Sequence, residues 1–411
     1  MKKLPEGWEY KDLKSIVVDT QLGINVKSSV DNEGIPLLKM GNLTIGGFDL
    51  SKIEKTNEEI ESIEPYYLQY GDFLFNTRNT PELVGKSAVW KWRDKKVIFN
   101  SNIMRLTFKD NIDSFFLGYY FSSNKGWTKL KSISTGTTSV GAIYTKDLLK
   151  VKIPIPPLEE QKKIAEILST VDQKIDFVDK QIEETETLKK GLMQKLLTQG
   201  IGHSEFKDSE IGRIPKSWKV KRLEETCSKI VGGGTPSKNI PEYWNSGVIP
   251  WVTPSEFTKS ESNYISESEN RITEEGLKNS SATLLSPGTV IMSSRAIIGE
   301  CKINTIEITT NQGFISFEPN ELLNNLYLLY ILKQNKEKII KLSSGSTFLE
   351  VSRTTMKNFK IPIPSFEEQN KIVEILSTID KKLEILKVKK KSFEELKKGL
   401  MQKLLTGEVR V

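Results

Sequence analysis

The chain has 411 residues, more than one ordinary hydrophobic core accommodates, and so predicts at least two domains. Sixty lysines and arginines against 53 aspartates and glutamates give a formal net charge of +7, which permits a polyanionic partner without requiring one. Two cysteines exclude a disulfide framework or a cysteine-based zinc site. The absence of an 18-residue apolar run and of a signal-like start predicts a soluble, cytoplasmic protein.

The residues before position 153 have the pattern of an α+β domain. Apolar runs at 97–99 and 103–108 are bounded by turn residues and predict strands, and the stretch at 113–132 predicts helix. We therefore predict a first domain over residues 1–152 in which helices pack on a sheet.

A long amphipathic helix is predicted next, over residues 153–200. From Ile164 to Ile182 its apolar residues step alternately by four and three, which is the a/d seam of a coiled coil. Pro157, followed by two glutamates, is typical of a helix start, and Gly200 is typical of a helix end. Some 40 helical residues at about 1.5 Å each predict a rod of roughly 60 Å.

A polar, glycine-containing linker is predicted over residues 201–214. It contains His203, the single histidine of the chain. A histidine that acts as a general base needs oriented partners, and the linker sequence suggests none. We expect His203 to be a solvated loop residue.

A second domain, predicted over residues 215–360, repeats the first. Apolar runs at 289–292 and 313–317 predict its strands, and the stretch at 320–342 predicts helix. Four correspondences carry the repeat: PEGWEYKDL from residue 5 with PKSWKVKRL from 215, GIPLLKMGNLT at 34–44 with VIPWVTPSEFT at 248–258, GDFLFNTR at 71–78 with GTVIMSSR at 288–295, and STGTT at 134–138 with SSGST at 343–347.

The chain ends in a second long helix, predicted over residues 361–411. Residues 361–406 match residues 153–198 at 28 of 46 positions without a gap, at a constant offset of 208. One apolar stripe alone would also fit a core helix of a globular domain. Two matched stripes favour helices that bury their stripes on each other, antiparallel and with pseudo-twofold symmetry.

Two glycines lie at equivalent places inside these helices, Gly191 and Gly399. Glycine costs about 1 kcal/mol relative to alanine in a helix interior. Close approach of another backbone is the predicted reason for both.

The chain carries no recognisable catalytic signature. The Gly-Lys-Ser tripeptide at 85–87 is not a phosphate loop, because the leading glycine would fall at position 80, which is threonine. The glycine run at 232–234 lacks the GxGxxG spacing and indicates either a turn or a place where a ligand approaches the backbone. Methyltransferase and metal-binding motifs are also lacking in the sequence. These observations argue against catalysis by this chain.

Small polar, amide and basic residues recur at corresponding places in the two domains. Arginine reads guanine and asparagine reads adenine, whereas serine, threonine and lysine hold phosphates. A lone arginine at a strand end is usually a surface residue, but two equivalent arginines favour a pair of DNA readers held apart by the helices. The candidate DNA-binding residues are Asn76, Thr77, Arg78, Asn79 and Lys86 in the first domain, and Gly233, Thr235, Ser237, Lys238, Ser293, Ser294, Arg295 and Lys302 in the second.

Several motifs resemble the specificity subunits of type I restriction-modification enzymes. They are VGGGTPSKNIPEYWNSGVIPWVTPSEF at 231–257, TRNTPELVGKSAVW at 77–90, SSRAIIGEC at 293–301, and the paired IPIPxxEEQxKIxEIL and GLMQKLLT boxes. The resemblance implies an α+β fold with two similar target recognition domains joined by two long antiparallel coiled-coil helices. It also implies a non-catalytic subunit whose domains each read one half of a bipartite DNA target while the helices set the gap.

The resemblance also implies partners. These are double-stranded DNA, two methyltransferase subunits and, through them, motor-nuclease subunits; S-adenosylmethionine, ATP and magnesium would be used by the partners and not by this chain. Two identical partners require two equivalent surfaces, so the near-identical helix ends are expected to dock them, unless these ends pack on the recognition domains. The candidate docking residues are Glu160, Gln161, Lys189, Lys190, Gln194, Glu368, Gln369, Lys397, Lys398 and Gln402.

The two domains differ where the second has its glycine run. The first keeps a single glycine there, within Gln21-Leu22-Gly23-Ile24. Different chemistry in the two readers predicts an asymmetric target. Two other functions remain open: a single-chain DNA-modifying enzyme, which S-adenosylmethionine binding would indicate, and a coiled-coil scaffold, which lack of salt-dependent DNA binding would indicate.

Overall fold

The structure, a computed structural model, describes residues 4–137, 139–259, 261–344 and 349–411. Thr138 and residues 345–347, which belong to the STGTT and SSGST correspondence, lie outside these ranges. The chain divides into two compact units: unit 1 is Met1–Lys180 with Val388–Val411, and unit 2 is Gln181–Lys387. Each unit thus contains part of both long helices, whereas the predicted domain boundaries follow the sequence repeat alone and stay a prediction.

Unit 1 is built on an antiparallel sheet of order β2-β9-β5-β7, with smaller sheets β4-β3-β8 and β10-β11-β6 and the pair β1-β12. The elements are β1 (Glu9–Asp12), α1 (Leu13–Ile16), β2 (Val17–Leu22), β3 (Ile35–Leu38), β4 (Glu54–Thr56), β5 (Phe73–Asn76), β6 (Arg78–Asn79), β7 (Ser87–Val89), β8 (Ile98–Phe99), β9 (Ile103–Phe108), α2 (Ser114–Ser122), α3 (Asn124–Ser132), β10 (Thr135–Gly136), β11 (Gly141–Ala142), α4 (Thr145–Leu148), β12 (Lys152–Ile155) and the long helix α5 (Leu158–Gln199).

Unit 2 repeats this arrangement, with sheets β16-β23-β20-β21-β18 and β19-β17-β22, the pair β15-β24 and an added hairpin β13-β14. The elements are β13 (Phe206–Ser209), β14 (Gly212–Pro215), β15 (Lys219–Arg222), α6 (Leu223–Thr226), β16 (Cys227–Gly232), β17 (Ile249–Val252), α7 (Pro254–Phe257), β18 (Tyr264–Ile265), β19 (Arg271–Ile272), α8 (Glu274–Lys278), β20 (Val290–Ser293), β21 (Cys301–Asn304), β22 (Thr309–Thr310), β23 (Phe314–Pro319), α9 (Asn325–Gln334), α10 (Lys336–Lys341), α11 (Arg353–Lys357), β24 (Lys360–Ile363) and the long helix α12 (Phe366–Leu404).

The central strand of each main sheet is apolar on both faces because both faces are covered. Alternate residues of a strand point to opposite faces. In β5, Phe73 and Phe75 pack into the core beneath α2, whereas Leu74 belongs to a second apolar cluster on the other side. In β20, Ile291 likewise belongs to a second cluster, separate from the main core of unit 2. These continuous apolar runs explain why the strands are recognisable in the sequence.

The long helices begin at Leu158, directly after the start signal at Pro157, and at Phe366, so the first residues of each repeated segment are not helical. Residues 153–155 and 361–363 form strands β12 and β24, which pair with β1 and β15. Prolines at alternate positions in both IPIP segments explain this, because proline disfavours helix for the residue before it and lacks the amide hydrogen that a helix interior requires. The helices α5 and α12 follow directly.

The predicted apolar seam is buried, and the helices run antiparallel within each unit. In unit 1, Asp172 and Asp179 of α5 pair with Lys397 and Lys390 of α12, at 2.6 and 2.7 Å. The residue numbers rise on one helix as they fall on the other. In unit 2 the equivalent pair is Lys189 with Asp380, at 2.5 Å. Eight predicted seam residues are buried: Ile164, Leu168, Val171, Val178, Ile372, Leu376, Leu383 and Leu386. The other three, Ile175, Ile182 and Ile379, are half-buried.

The structure shows no backbone of this chain close to Gly191 or Gly399 among the described residues. Both glycines are exposed, and a Cβ atom added to either would meet no atom within 4 Å. Within the described residues, therefore, no other backbone comes close to them.

Candidate nucleic-acid interface

In unit 1 the candidate residues after β5 build a turn that presents Arg78. Asn76 is fully buried, and its amide donates to the carbonyls of Arg78 (3.0 Å) and Asn102 (3.2 Å). The Thr77 hydroxyl donates to the same Asn102 carbonyl, at 3.1 Å, and Asn79 donates to the Asn76 side chain at 2.9 Å. These side chains hold the backbone, and Arg78 is left exposed.

A hairpin lies beside Arg78, and none of the predicted DNA-binding residues belongs to it. Strand β11 pairs with β6, so that Ala142 is directly opposite Arg78, and β10 pairs with the other edge of β11. Thr137 and Val140 at the tip of the hairpin are exposed. The STGTT segment at 134–138, which repeats as SSGST in the second domain, was the available signal, because it contains strand β10 of this hairpin.

Unit 2 holds Arg295 in the equivalent place by the same backbone bonds. The amide of Ser294 donates to Gly313 and its carbonyl accepts from Val351, just as Thr77 donates to Asn102 and accepts from Ile143. Ser293 and Ser294 are buried, and the Ser293 hydroxyl donates to the Arg295 carbonyl at 2.7 Å. Like their counterparts in unit 1, these residues support the arginine rather than face solvent.

The residue after Arg295 is strained. Ala296 has φ of +58°, in the left-handed region that non-glycine residues rarely adopt, at a cost of roughly 1–3 kcal/mol. The amide of Ile297 donates to the Arg295 carbonyl across this residue, at 2.6 Å. The turn therefore fixes the direction in which Arg295 leaves the sheet.

Lys302 is not the counterpart of Lys86, and it is not a surface residue. Strand register pairs Ile291 with Lys302 and the equivalent Leu74 with Ala88, so Lys302 corresponds to Ala88. Lys302 is 6% exposed and its ammonium lies 5.7 Å from the centre of the Phe257 ring. Burial lowers the pKa of Lys302. Because its side chain packs inside unit 2, it is not placed to hold a phosphate.

The glycine run is explained by packing inside unit 2. A Cβ on Gly233 would lie 1.9 Å from the Asn311 carbonyl oxygen, and one on Gly23 would lie 2.1 Å from that of Phe99. A Cβ on Gly234 would lie 2.4 Å from the backbone nitrogen of Ala282, so packing requires this glycine as well. The glycine run is therefore accounted for by packing and does not indicate base reading. In the same segment Thr235 bonds to Gln312, whereas Ser237 and Lys238 are exposed.

Four candidate docking residues are occupied inside the protein. Gln161 is fully buried and bonds the loop before α2 through Asn111 and Asp113, and Gln369 bonds Leu322 and Asn324 in the same way. Glu160 and Glu368 accept the indole N–H of Trp8 and Trp218, at 3.1 and 3.0 Å. These side chains join each recognition domain to its helix.

His203 is not a solvated loop residue. Its ring nitrogen lies 2.8 Å from Glu368, its side chain is only 23% exposed, and its ring packs edge-on against Trp218. In unit 1 the equivalent carboxylate, Glu160, is held by Arg410 through two contacts of 2.6 and 2.8 Å. The sequence could not indicate this partner, because Glu368 is 165 residues away.

The lysines near the helix ends fall into two classes. Lys189 and Lys397 are 23% and 28% exposed and pair with Asp380 and Asp172. The same aspartates accept the hydroxyls of Tyr330 and Tyr119, at 2.7 and 2.8 Å. Burial, with the neighbouring aspartate, raises the pKa of both tyrosines well above the usual value, so both stay protonated donors. The other candidates are exposed: Lys190, Gln194, Lys398 and Gln402.

Among the residues that the structure describes, no cluster of histidine, cysteine and carboxylate side chains has the arrangement of a metal site. In the same residues, no helix is both long enough and apolar enough to span a membrane.

The family match, the similar sequences and the solved structure below all indicate the same protein family. Residues 5–187 and 215–395 each match a family described as the type I restriction modification DNA specificity domain. The type I restriction enzyme MjaX specificity subunit of Methanocaldococcus jannaschii is 32% identical over 414 residues, covering 100% of this chain and 95% of that protein. The MjaVIII specificity subunit of the same organism is 33% identical over 350 residues, covering 80% and 78%. The crystal structure of a type I restriction-modification S subunit from M. genitalium shares the fold, with a TM-score of 0.63 at 17% identity over 98% of this chain and 97% of that one.

Proposed function

The chain belongs to the family of type I restriction-modification DNA specificity domains and is a non-catalytic specificity subunit, and from this premise we propose how it reads DNA and meets its partners. Each unit reads one half of a bipartite target in double-stranded DNA, and the long helices set the gap between the halves. The observation that carries this proposal is the exposed arginine at the same strand end in both units, Arg78 and Arg295.

Each of the two arginines is supported by buried side chains of its own unit. Buried Asn76 and Ser293 fix the backbone of the turn, so each arginine leaves the sheet from a rigid element. Arginine donates two parallel hydrogen bonds to guanine in the major groove. The exposed Lys238 is suited to a phosphate, which contributes affinity and register but no sequence information.

We propose that two methyltransferase subunits dock on equivalent exposed faces near the ends of α5 and α12. Leu188 and Leu396 are each 49% exposed although they are apolar. Gly191 and Gly399, three residues on, have no reason to be glycine among the described residues, since an added Cβ would meet none of their atoms within 4 Å. A glycine on an exposed helix face admits close approach of a partner's backbone, which would offset its cost of about 1 kcal/mol.

The proposed docking face differs from the predicted one, because it omits the six predicted residues that are occupied inside the protein and adds two exposed leucines and two exposed glycines. It comprises Leu188, Lys190, Gly191 and Gln194 on α5, and Leu396, Lys398, Gly399 and Gln402 on α12. Motor-nuclease subunits would join through the methyltransferase subunits. S-adenosylmethionine, ATP and magnesium would be used by these partners, in the cytoplasm.

The proposal is tested by co-expressing the chain with its methyltransferase subunit and mapping methylated adenines across a genome by long-read sequencing. We expect a two-part motif with a fixed gap. Arg78→Ala and Arg295→Ala should each relax one half of the motif only, by about 1–3 kcal/mol of discrimination if the contact is bidentate. Equal relaxation of both halves, or a stable complex that methylates nothing, would contradict the split-reader arrangement.

A further inference from the structure

The two reader arginines have different cross-strand neighbours. Arg78 lies opposite Ala142, whereas Arg295 lies opposite Glu350. The two neighbours are 208 residues apart, the same offset that relates the two long helices. They are therefore the same position of the repeat, occupied by a methyl group in unit 1 and by a carboxylate in unit 2.

The carboxylate contacts the arginine directly. Glu350 Oε1 lies 2.8 Å from Arg295 Nε, with 45% of the arginine side chain and 39% of the glutamate side chain exposed. The backbone of Glu350 is itself fixed, since it exchanges two hydrogen bonds with Ser344, of 2.9 and 3.0 Å. In the residues that the structure describes, Arg78 forms no such ion pair.

An exposed ion pair of this kind contributes little to stability. It does restrict a long side chain that would otherwise sample many rotamers. The closest contact is made at Nε, near the stem of the guanidinium, and the terminal nitrogens that would donate to a guanine edge lie beyond it. The left-handed Ala296 fixes the backbone on the other side of the same arginine.

We infer that Glu350 is a positioning residue for base reading: it orients the guanidinium of Arg295, so that unit 2 requires guanine at one position of its half-site more strictly than unit 1 does at the Arg78 position. This inference rests on the proposed function. It assigns a difference in specificity between the units to one repeat position, so that the two half-sites differ in how strictly one base is required.

The test uses the complex with the methyltransferase subunit and duplexes in which each base pair of each half-site is changed in turn. Glu350→Ala reproduces the residue of unit 1, and Ala142→Glu is the reciprocal change. Glu318→Ala removes another surface partner of a cation, Lys229, at the far end of the same sheet and serves as the control. Binding and the methylation motif are measured for every variant.

A bidentate arginine contact discriminates by roughly 5- to 150-fold. We expect Glu350→Ala to lower discrimination about tenfold at one position of one half-site, with binding to unrelated duplex unchanged. Glu350→Gln, which retains an acceptor oxygen, should restore most of it, and Ala142→Glu should sharpen discrimination at one position of the other half-site.

Two results overturn the inference while leaving the proposed function intact. One is a Glu350→Ala complex that keeps the wild-type motif and the wild-type discrimination between bases, while Arg295→Ala, measured in the same experiment, relaxes one half-site. The other is a uniform loss of affinity for every duplex, which would make Glu350 a structural residue. A wild-type complex without any two-part motif would instead refute the proposed function itself.

Discussion

At the scale of single residues, one carboxylate in each unit organises the junction between recognition domain and helix. Glu160 and Glu368 occupy the same repeat position, and each accepts an indole N–H from a tryptophan near the start of its domain. The second partner differs, since Arg410 takes in unit 1 the place that His203 takes in unit 2. A buried carboxylate is tolerated only when its oxygens are satisfied, so these partners are structural requirements.

We predict that Trp8→Phe and Trp218→Phe each destabilise the protein by about 1–3 kcal/mol, because each removes one N–H donor from a largely buried carboxylate while preserving most of the ring. Chemical denaturation followed by circular dichroism measures the loss. Trp127→Phe, at a half-buried tryptophan of α3, is the control. Losses no larger than that of the control would mean that these hydrogen bonds make no net contribution to the free energy of unfolding.

At the scale of elements, the two long helices are held together and to their domains by the same cluster in each unit. Asp172 joins Lys397 to Tyr119 of α2, and Asp380 joins Lys189 to Tyr330 of α9. Three elements meet at one carboxylate. The neighbouring lysines, Lys190 and Lys398, point outward and are free to meet a partner.

These neighbours allow structure and docking to be separated. Reversing the charge at Lys189 and Lys397 should place glutamate beside aspartate and destabilise the protein by about 1–2 kcal/mol at each site. Reversing Lys190 and Lys398 should leave thermal unfolding unchanged but reduce co-purification of the methyltransferase subunit. Unchanged co-purification of the Lys190 and Lys398 variant would remove these residues from the docking face. Unchanged stability of the Lys189 and Lys397 variant would show that their ion pairs with Asp380 and Asp172 do not stabilise the protein.

At the scale of the whole molecule, the repeat gives two units of similar fold whose corresponding surface residues differ in identity. The net charge of +7 is small for a DNA-binding protein of this length, so affinity has to come from a limited number of placed cations rather than from a general positive field. Lys238, exposed beside the glycine run of unit 2, is one such cation.

We predict that DNA affinity of the methyltransferase complex falls linearly with the logarithm of salt concentration, because phosphate contacts release counterions. Lys238→Ala should lower the slope by about one and weaken all sequences alike, since a phosphate contact carries no base preference. The exposed Lys207 of β13 supplies a control substitution to alanine. A Lys238→Ala complex with an altered motif would show instead that this lysine reads bases.

The repeat, the strands at 98–99, 103–108, 290–293 and 314–319 and the antiparallel seam of the long helices were determined by the sequence itself, because they depend on local periodicity and on a pattern that occurs twice. The strand-end arginines were also found there, because the same position carries arginine in both copies. Other features depend on contacts between distant residues. Only the tertiary structure shows that Lys302 is buried and that His203 contacts Glu368. It also shows that Lys189 and Lys397 form ion pairs between the two long helices, and that Gly191 and Gly399 are exposed. The difference between Glu350 and Ala142 is visible in the sequence, but strand pairing alone put these residues opposite the two arginines. Periodicity shows which face of an element is apolar, whereas the identity of the side chain that meets it is decided by which elements pack together.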